Sequence, residues 1–180
     1  VALSGDPDCG GMLSYNYFSG EPVTGFESGA PLFVRSAESK FTLANTMRMH
    51  LYSALAALKV GMDLLLKEEH VTVDKLYGHG GFFKTKEAGQ RIAAAAMNAP
   101  VSVMETAGEG GAWGIALLAA YLTEKENGSL GEFLNKRIFA GKEGSERKPD
   151  EKDVEGFEQF MKRYRRGFEA ERAAIRAMTE

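Results

Sequence analysis

A single cysteine, Cys9, excludes an internal disulfide and any metal site built from a cysteine cluster. Histidine is nearly as scarce, and His50, His70 and His79 are scattered without metal-ligand spacing. An excess of one charge is also missing. Lys and Arg number 22 against 25 Asp and Glu, so a net charge of -3 supplies no global field for nucleic acid. No uninterrupted apolar run approaches the roughly 20 residues of a membrane span. The opening residues, Val1-Ala2-Leu3-Ser4-Gly5-Asp6, have no initiator Met and no charged region followed by an apolar one, so they do not read as a signal peptide. Together these absences predict a soluble, intracellular (cytoplasmic) chain that is part of a longer one.

What is present is an ordinary globular composition, 44% hydrophobic and 26% charged, over 180 residues. That length predicts one domain or a piece of a larger one. Residues 1–41 mix glycine, proline and aromatics irregularly. Tyr15, Tyr17, Phe18, Phe26 and Phe33 read as anchors of a long loop, or of short strands, on a core. Thr42 suits a helix N-cap. Behind it Leu43, Met47, Leu51, Leu55, Leu58, Met62 and Leu65 recur at three- and four-residue steps, which predicts one buried stripe on a helix ending near 67–69.

Val73 to Tyr77 then reads as a short strand, and Lys84 to Asn98 as a helix stopped by Pro100. Val101 to Met104 reads as a second strand, and Ala112 to Leu122 as a very apolar helix with small residues for close packing. Strand-helix-strand-helix with short connections predicts parallel strands and right-handed crossovers. Two glycine turns, at 78–81 and 108–111, then fall at the carboxyl ends of the strands, where such sheets bind ligands. Residues 129–139 read as a short helix and 140–150 as a loop. From Val154 to Met178 the three-four spacing predicts a docked C-terminal helix, with Glu171 interrupting the run. Its basic cluster, Lys162, Arg163, Arg165 and Arg166, reads as a solvated face.

The turn Gly78-His79-Gly80-Gly81 admits several readings. Bare amides at a helix start suit a phosphate or a nucleotide edge, and the same glycines can simply close a tight turn. A dinucleotide fingerprint needs a third glycine where Phe83 stands, although Glu105 supplies an acidic residue downstream. This counts against an oxidoreductase. A Walker loop is absent, because no Gly-Lys-Ser/Thr triplet occurs. Phe82 suits stacking on a purine or burial in a core, and His79 suits a turn or a phosphate contact.

The order of the pieces resembles another pattern. Gly80-Gly81, a helix, Asn98-Ala99-Pro100-Val101-Ser102-Val103, Glu105 and then Gly111-Ala112-Trp113-Gly114-Ile115-Ala116-Leu117-Leu118-Ala119-Ala120 resemble the C-terminal domain of the FGGY carbohydrate kinases. Upstream, Tyr17-Phe18-Ser19-Gly20-Glu21-Pro22 resembles a segment of xylulokinase-like members. Phe33-Val34-Arg35-Ser36 and the helix from Thr42 resemble the segments that follow. The resemblance runs from about Asp6 to Leu122. Tyr52, Met49, His79, Phe82 and Phe83 depart from the family's usual residues.

The resemblance implies an α/β fold: a portion of an actin-like, ribonuclease-H-like ATPase domain with parallel strand-helix units. Residues 1–41 would pack as a loop-rich segment, 42–125 would form the nucleotide-side core, and 126–180 a helical extension. It implies that Gly80 and Gly81 line the adenosine side of ATP or ADP, with Thr85 near adenine and Ser36 at another nucleotide-contacting turn. Gly78, His79 and Phe82 are further candidate contacts, and the Gly110-Gly111 turn is structural. It also implies Mg²⁺ and a pentose, pentulose or polyol substrate in the intact enzyme.

The family's phosphate loops, sugar site and catalytic Asp lie upstream, and Asp6, Asp8, Asp63 and Asp74 match none of them. No catalytic residue and no metal ligand are therefore assigned. The chain alone is expected to be inactive, because phosphoryl transfer needs several charged parts at once. A sheet edge should lack its neighbour. The expected partner is a sugar bound through an N-terminal domain, with a homodimer as candidate assembly and neither nucleic acid nor membrane. The alternative function is a non-catalytic, actin-like nucleotide-binding or regulatory module.

Overall fold

Thr42 starts the longest helix, α1 (Leu43–Asp63), with its hydroxyl accepting the Asn45 amide at 3.2 Å. The computed structural model describes residues 1–85, 87–104, 110–140 and 144–179. A π-type turn, Leu64–Glu68, ends the helix. The period expected of α1 is right, but the buried face is not the expected stripe. Leu43 is 69% exposed and Leu58 55%, and Met47 and Leu65 are exposed as well. The buried face carries Asn45, Arg48, Met49, Tyr52, Leu55, Ala56, Lys59 and Asp63. Ion pairing is what lets this polar face turn inward.

Asp153 is the centre of that pairing. It lies in α5 (Glu151–Arg166), three positions after the Asp150 cap, which accepts the Lys152 and Asp153 amides. One carboxylate oxygen accepts a very short bond from Arg48 Nη2, and the other accepts Nε of Arg91 at 2.5 Å. Arg91 lies in α2 (Ala88–Met97). Arg48 also donates to the Gly5 carbonyl at 2.9 Å and to Tyr52 Oη at 3.1 Å, and Tyr52 Oη donates to the Pro7 carbonyl at 2.9 Å. One acid thus joins three helices and the N-terminal loop. Gly156 is obligatory beside it, because a Cβ there would overlap the Pro7 carbonyl.

Residues 1–41 are more ordered than a loop. β1 (Leu13–Tyr15) pairs antiparallel with β2 (Leu32–Val34), and short 3₁₀ turns flank them. β1 is wholly buried. Its Tyr15 joins Tyr17, Phe26, Tyr52, Phe157, Phe160 and Tyr164 in an aromatic core. Tyr17 Oη lies 2.9 Å from Thr24 Oγ1 and 2.5 Å from Tyr164 Oη, so these buried hydroxyls are satisfied.

The second sheet has the order β3-β4-β5. β3 (Leu76–Gly78) runs parallel to β4 (Val101–Val103), with Leu76 opposite Val101 and Gly78 opposite Val103. The strand starts and ends later than the expected 73–77. β5 (Ser145–Arg147) lies antiparallel on β4, inside the stretch expected to be a loop. α2 is the crossover between β3 and β4, and it starts at Ala88 rather than Lys84 because a 3₁₀ turn, Gly81–Lys84, precedes it. Asn98, at φ 48°, ends it.

Beyond β4, α3 (Gly110–Leu122) has no buried residue, where close packing was expected. α4 (Leu130–Phe133) opens with a Ser129–Glu132 capping box and continues as a π-type turn to Ile138. The expected single C-terminal helix is two, α5 and α6 (Phe168–Thr179). The break is at Gly167. Two members of its basic run are ion-paired: Arg163 to Asp8 at 3.1 Å and Arg165 to Asp63 at 2.5 Å. The stretch Leu43–Glu68 is, by length and composition, apolar enough to cross a membrane. This corrects the reading that no such segment exists. Its buried Arg48, Lys59 and Asp63 make it a core helix here.

Candidate functional site

The carboxyl ends of β3 and β4 meet at one edge, with the first glycine turn and, of the second, Gly110 beside it. Each glycine of the first turn has its own physical reason. A Cβ on Gly78 would come within 2.6 Å of the Phe83 ring, so Gly78 makes room for that phenylalanine. Gly80 sits at φ 95°, ψ -177°, backbone essentially restricted to glycine. Gly81 has an ordinary φ, and an added Cβ would meet nothing within 4 Å. The fold of this chain does not require glycine at 81. A bare backbone facing open space is what a close-approaching ligand needs.

Phe82 and Phe83 stack edge to face at 5.4 Å and pack half-buried on the core. The Phe82 carbonyl sits where a Cβ on Gly89 would be. Phe83 N donates to the Gly80 carbonyl at 3.1 Å and closes the turn. Thr85 follows in extended backbone and is exposed. Ser36 is elsewhere along the chain, in the turn before α1. Its amide donates to Ser39 Oγ at 3.0 Å, and the Ser39 hydroxyl donates to the Gly11 carbonyl at 3.3 Å. Its described polar contacts stay in that turn.

The second turn meets the first directly. A Cβ on Gly110 would lie 2.9 Å from His79 Cβ. Glu105 and Gly108 lie outside the described residues. Beside this contact opens a cleft of about 760 Å³, lined by Tyr77, His79, Met104, Gly110, Trp113, Gly114, Leu117, Asn135 and Phe139. It continues along α3 into a second apolar groove bounded by Ile115, Leu118, Leu130 and Leu134.

Sequence reasoning missed the residue that fixes the turn's helix to the sheet. Gln90, buried in the first turn of α2, donates through Nε2 to the Val101 and Ser145 carbonyls, both at 2.7 Å. Its Oε1 accepts the Ser145 hydroxyl at 3.1 Å. A lone glutamine in an alanine-rich helix is the only sequence signal for it. Lys75, 2.5 Å from Glu146, ties β3 to β5 across the edge. Its hydrogen bond holds the Glu146 carboxyl below the usual glutamate range. Among the described residues no group of three or more His, Cys, Asp or Glu side chains could hold a metal ion.

Solved structures that this fold matches include xylulose kinases and a gluconate kinase. The xylulose kinase from Lactobacillus acidophilus, in a ligand-bound structure, matches at a TM-score of 0.71 and 17% identity, covering 94% of this chain and 33% of that one. The xylulose kinase from Rhodospirillum rubrum matches at 0.68 and 15%, covering 94% and 32%. The gluconate kinase from Lactobacillus acidophilus matches at 0.67 and 18%, covering 94% and 33%. The chain thus spans about a third of the length of these proteins, and identities this low speak for the fold alone. No curated protein matches the sequence. A family model, that of the FGGY family of carbohydrate kinases, C-terminal domain, matches residues 1–123. The chain therefore belongs to the FGGY family of carbohydrate kinases, within that family's C-terminal domain.

Proposed function

We propose that this chain is the C-terminal, adenosine-binding part of an ATP-dependent sugar kinase. The intact enzyme transfers the γ-phosphoryl of ATP to a hydroxyl of a pentose, pentulose or polyol, with Mg²⁺. The observation that carries the site is Gly81, where an added Cβ would meet nothing among the described residues, on the edge where Gly110 touches His79. This chain's part is to present the Gly80 and Gly81 backbone to the nucleotide, with Thr85 beside it. Metal, general base and sugar contacts come from parts of the kinase outside this chain. Mg²⁺ supplies charge neutralisation at the phosphates when bound.

The exposed apolar surface fits the same reading. Among the described residues β3 has a neighbour on one side only, and α3 has no buried residue. A covering sheet segment from the remainder of the kinase would pair the free edge and bury the helix face. The alternative, a non-catalytic nucleotide-binding module, drew on Tyr52, Phe82 and Phe83 as departures from the family. All three have packing roles: Tyr52 is fully buried and bonded to Pro7, Phe82 packs half-buried on the core, and Phe83 fills the space left at Gly78. None of these departures favours a loss of catalysis.

The test is a MgADP titration followed by amide NMR. Shifts should centre on Gly80, Gly81 and Thr85. Gly81→Val should weaken binding by tenfold or more and leave the fold intact. Perturbation elsewhere, or an unchanged affinity for Gly81→Val in the kinase that contains this chain, would overturn the assignment.

A further inference from the structure

Glu171 is a carboxyl in an unusual place. It lies in the first turn of α6 with 0% of its surface exposed. Its Oε1 accepts the Ala30 amide at 2.9 Å, and its Oε2 has no hydrogen-bonding partner among the described residues. Ala30 belongs to the connection that leads into β2, so this one bond spans from α6 to the N-terminal segment. The surroundings are mostly aromatic. Phe168, one turn before Glu171, packs on Tyr15 at 6.1 Å, on Phe26 at 5.4 Å and on Tyr164 at 5.5 Å.

No cation is aimed at the carboxyl. Arg172, the next residue, pairs with Glu169 at 2.5 Å and lies over the Phe26 ring. From β1 and the residues after it, the titratable groups that feel Glu171 are Tyr15 and Tyr17. From α5 there is Tyr164, bonded to Tyr17, and from the following loop Glu21, near Tyr17. These tyrosines are neutral hydroxyls and Glu21 is an anion, so none stabilises a carboxylate. A buried anion with one backbone donor and a free oxygen is costly. A neutral acid costs less, because no charge is buried. Burial raises the Glu171 carboxyl above the usual range, and the Ala30 bond offsets this only in part.

α6 is a helix distinct from α5. Gly167 separates it from α5, and a Cβ there would meet Tyr15 Oη at 2.5 Å and Leu13 Cδ2 at 2.7 Å. The joint is therefore held against β1 with no side chain of its own.

We propose that Glu171 is a proton-dependent latch: its neutral carboxyl holds α6 and the Ala30 connection together, and its ionisation releases them. The sign follows from the raised value in the docked state. The extra docking strength is fully present below the ordinary glutamate range. It is lost as pH rises through the docked value. Between those two values the opening equilibrium of α6 grows about tenfold per pH unit, and above the docked value it levels off. No proton is consumed chemically; it leaves to solvent when the latch opens. The latch does not depend on the proposed nucleotide site, since none of its residues lies near Gly80 or Gly81 in the contacts described.

The experiment compares the full chain with Glu171→Gln, which keeps an acceptor for Ala30 and adds a neutral donor. Hydrogen exchange at Ala30 and along α6 is measured for both proteins at the same pH values, from 5 to 8, a range set by about the ordinary carboxylate and neutral limits. Protection of the parent protein should fall relative to Glu171→Gln by about tenfold per pH unit within the window. A constant ratio across pH overturns the proposal. Should Glu171→Gln fail to fold, the side-chain carboxyl of Glu171 in the parent protein is titrated by ¹³C NMR. A midpoint in the ordinary glutamate range overturns the latch, and a raised midpoint coincident with loss of α6 protection supports it.

Discussion

Two helices that follow parallel strands end up in opposite surroundings. α2, ten residues long, buries eight of them: Gly89, Gln90 and Ile92 to Met97. α3, thirteen residues long and free of charge, buries none. Ile115 and Leu122 are each 68% exposed. By hydrophobicity alone α3 should be the more buried of the two. The difference is one of partners. α2 faces α1 and α5 on its own side of the sheet. α3 lies on a surface where β3 has no outer neighbour and the cleft beside Trp113 is open. Apolarity shows that a helix has a partner; it does not show that the partner is in the same chain. An exposed apolar surface of this kind is ordinarily an interface.

The largest effect expected lies at the point where the α2 side is held together. Asp153→Ala leaves Arg48 buried without its counter-ion and frees Arg91. Removing one member of a buried pair costs about 3–5 kcal/mol. Denaturant unfolding of the two proteins should show it as a lower midpoint with little change in slope. Burial opposes ionisation of Asp153, and Arg91 and Arg48 outweigh it, so its carboxyl is held below the usual range. Its stabilisation is thus present above the ordinary aspartate range and fades as pH falls through the depressed value. Glu171 has the opposite sign. A domain unaffected by Asp153→Ala would mean that α1, α2 and α5 are held by apolar contacts alone.

A matched pair of truncations tests the contrast itself. Ile92→Ala in α2 removes a fully buried side chain and should cost about 2–5 kcal/mol. Leu118→Ala in α3 removes a side chain that is 49% exposed and should stay within about 0.5 kcal/mol. Equal losses would show that α3 is buried in solution, through association or rearrangement. A loss at Leu118 that appears only at high protein concentration would point to self-association of the α3 face.

The same contrast sets how much could be read from sequence. The glycine edge was legible because Gly78 and Gly80 answer to local constraints, a neighbouring ring and a positive φ. The parallel pairing of β3 and β4 was legible from spacing alone. The buried face of α1 was not, because Arg48, Lys59 and Asp63 are buried by partners from distant segments: Asp153, Glu158 and Arg165. β5 was hidden because Ser145-Glu146-Arg147 has no apolar residue to mark it. One C-terminal helix was expected, with Glu171 only interrupting its apolar period, so the break in the helix was not foreseen. The actual break, Gly167, is set by Tyr15 and Leu13, residues more than a hundred positions away. Thr85 is exposed beside the turn, whereas Ser36 makes its described bonds to Ser39.

The smallest effect is also the most discriminating, because its sign depends on what covers α3. Gly114 lies within that helix, and a Cβ there would meet nothing within 4 Å in this chain. Glycine inside a helix costs about 0.5–1 kcal/mol relative to alanine. Gly114→Ala should therefore stabilise the isolated chain by about that amount, read as a small rise in thermal midpoint. Gly114 also lines both the cleft beside Trp113 and the groove along α3. A segment packed closely on that face in the intact kinase would meet the added methyl, and the gain would vanish or reverse. A gain in the isolated chain that disappears in the intact kinase identifies α3 as an interior helix whose partner lies outside this chain. The same gain in both places the covering segment away from Gly114 and confines the interface to the Ile115 and Leu118 side.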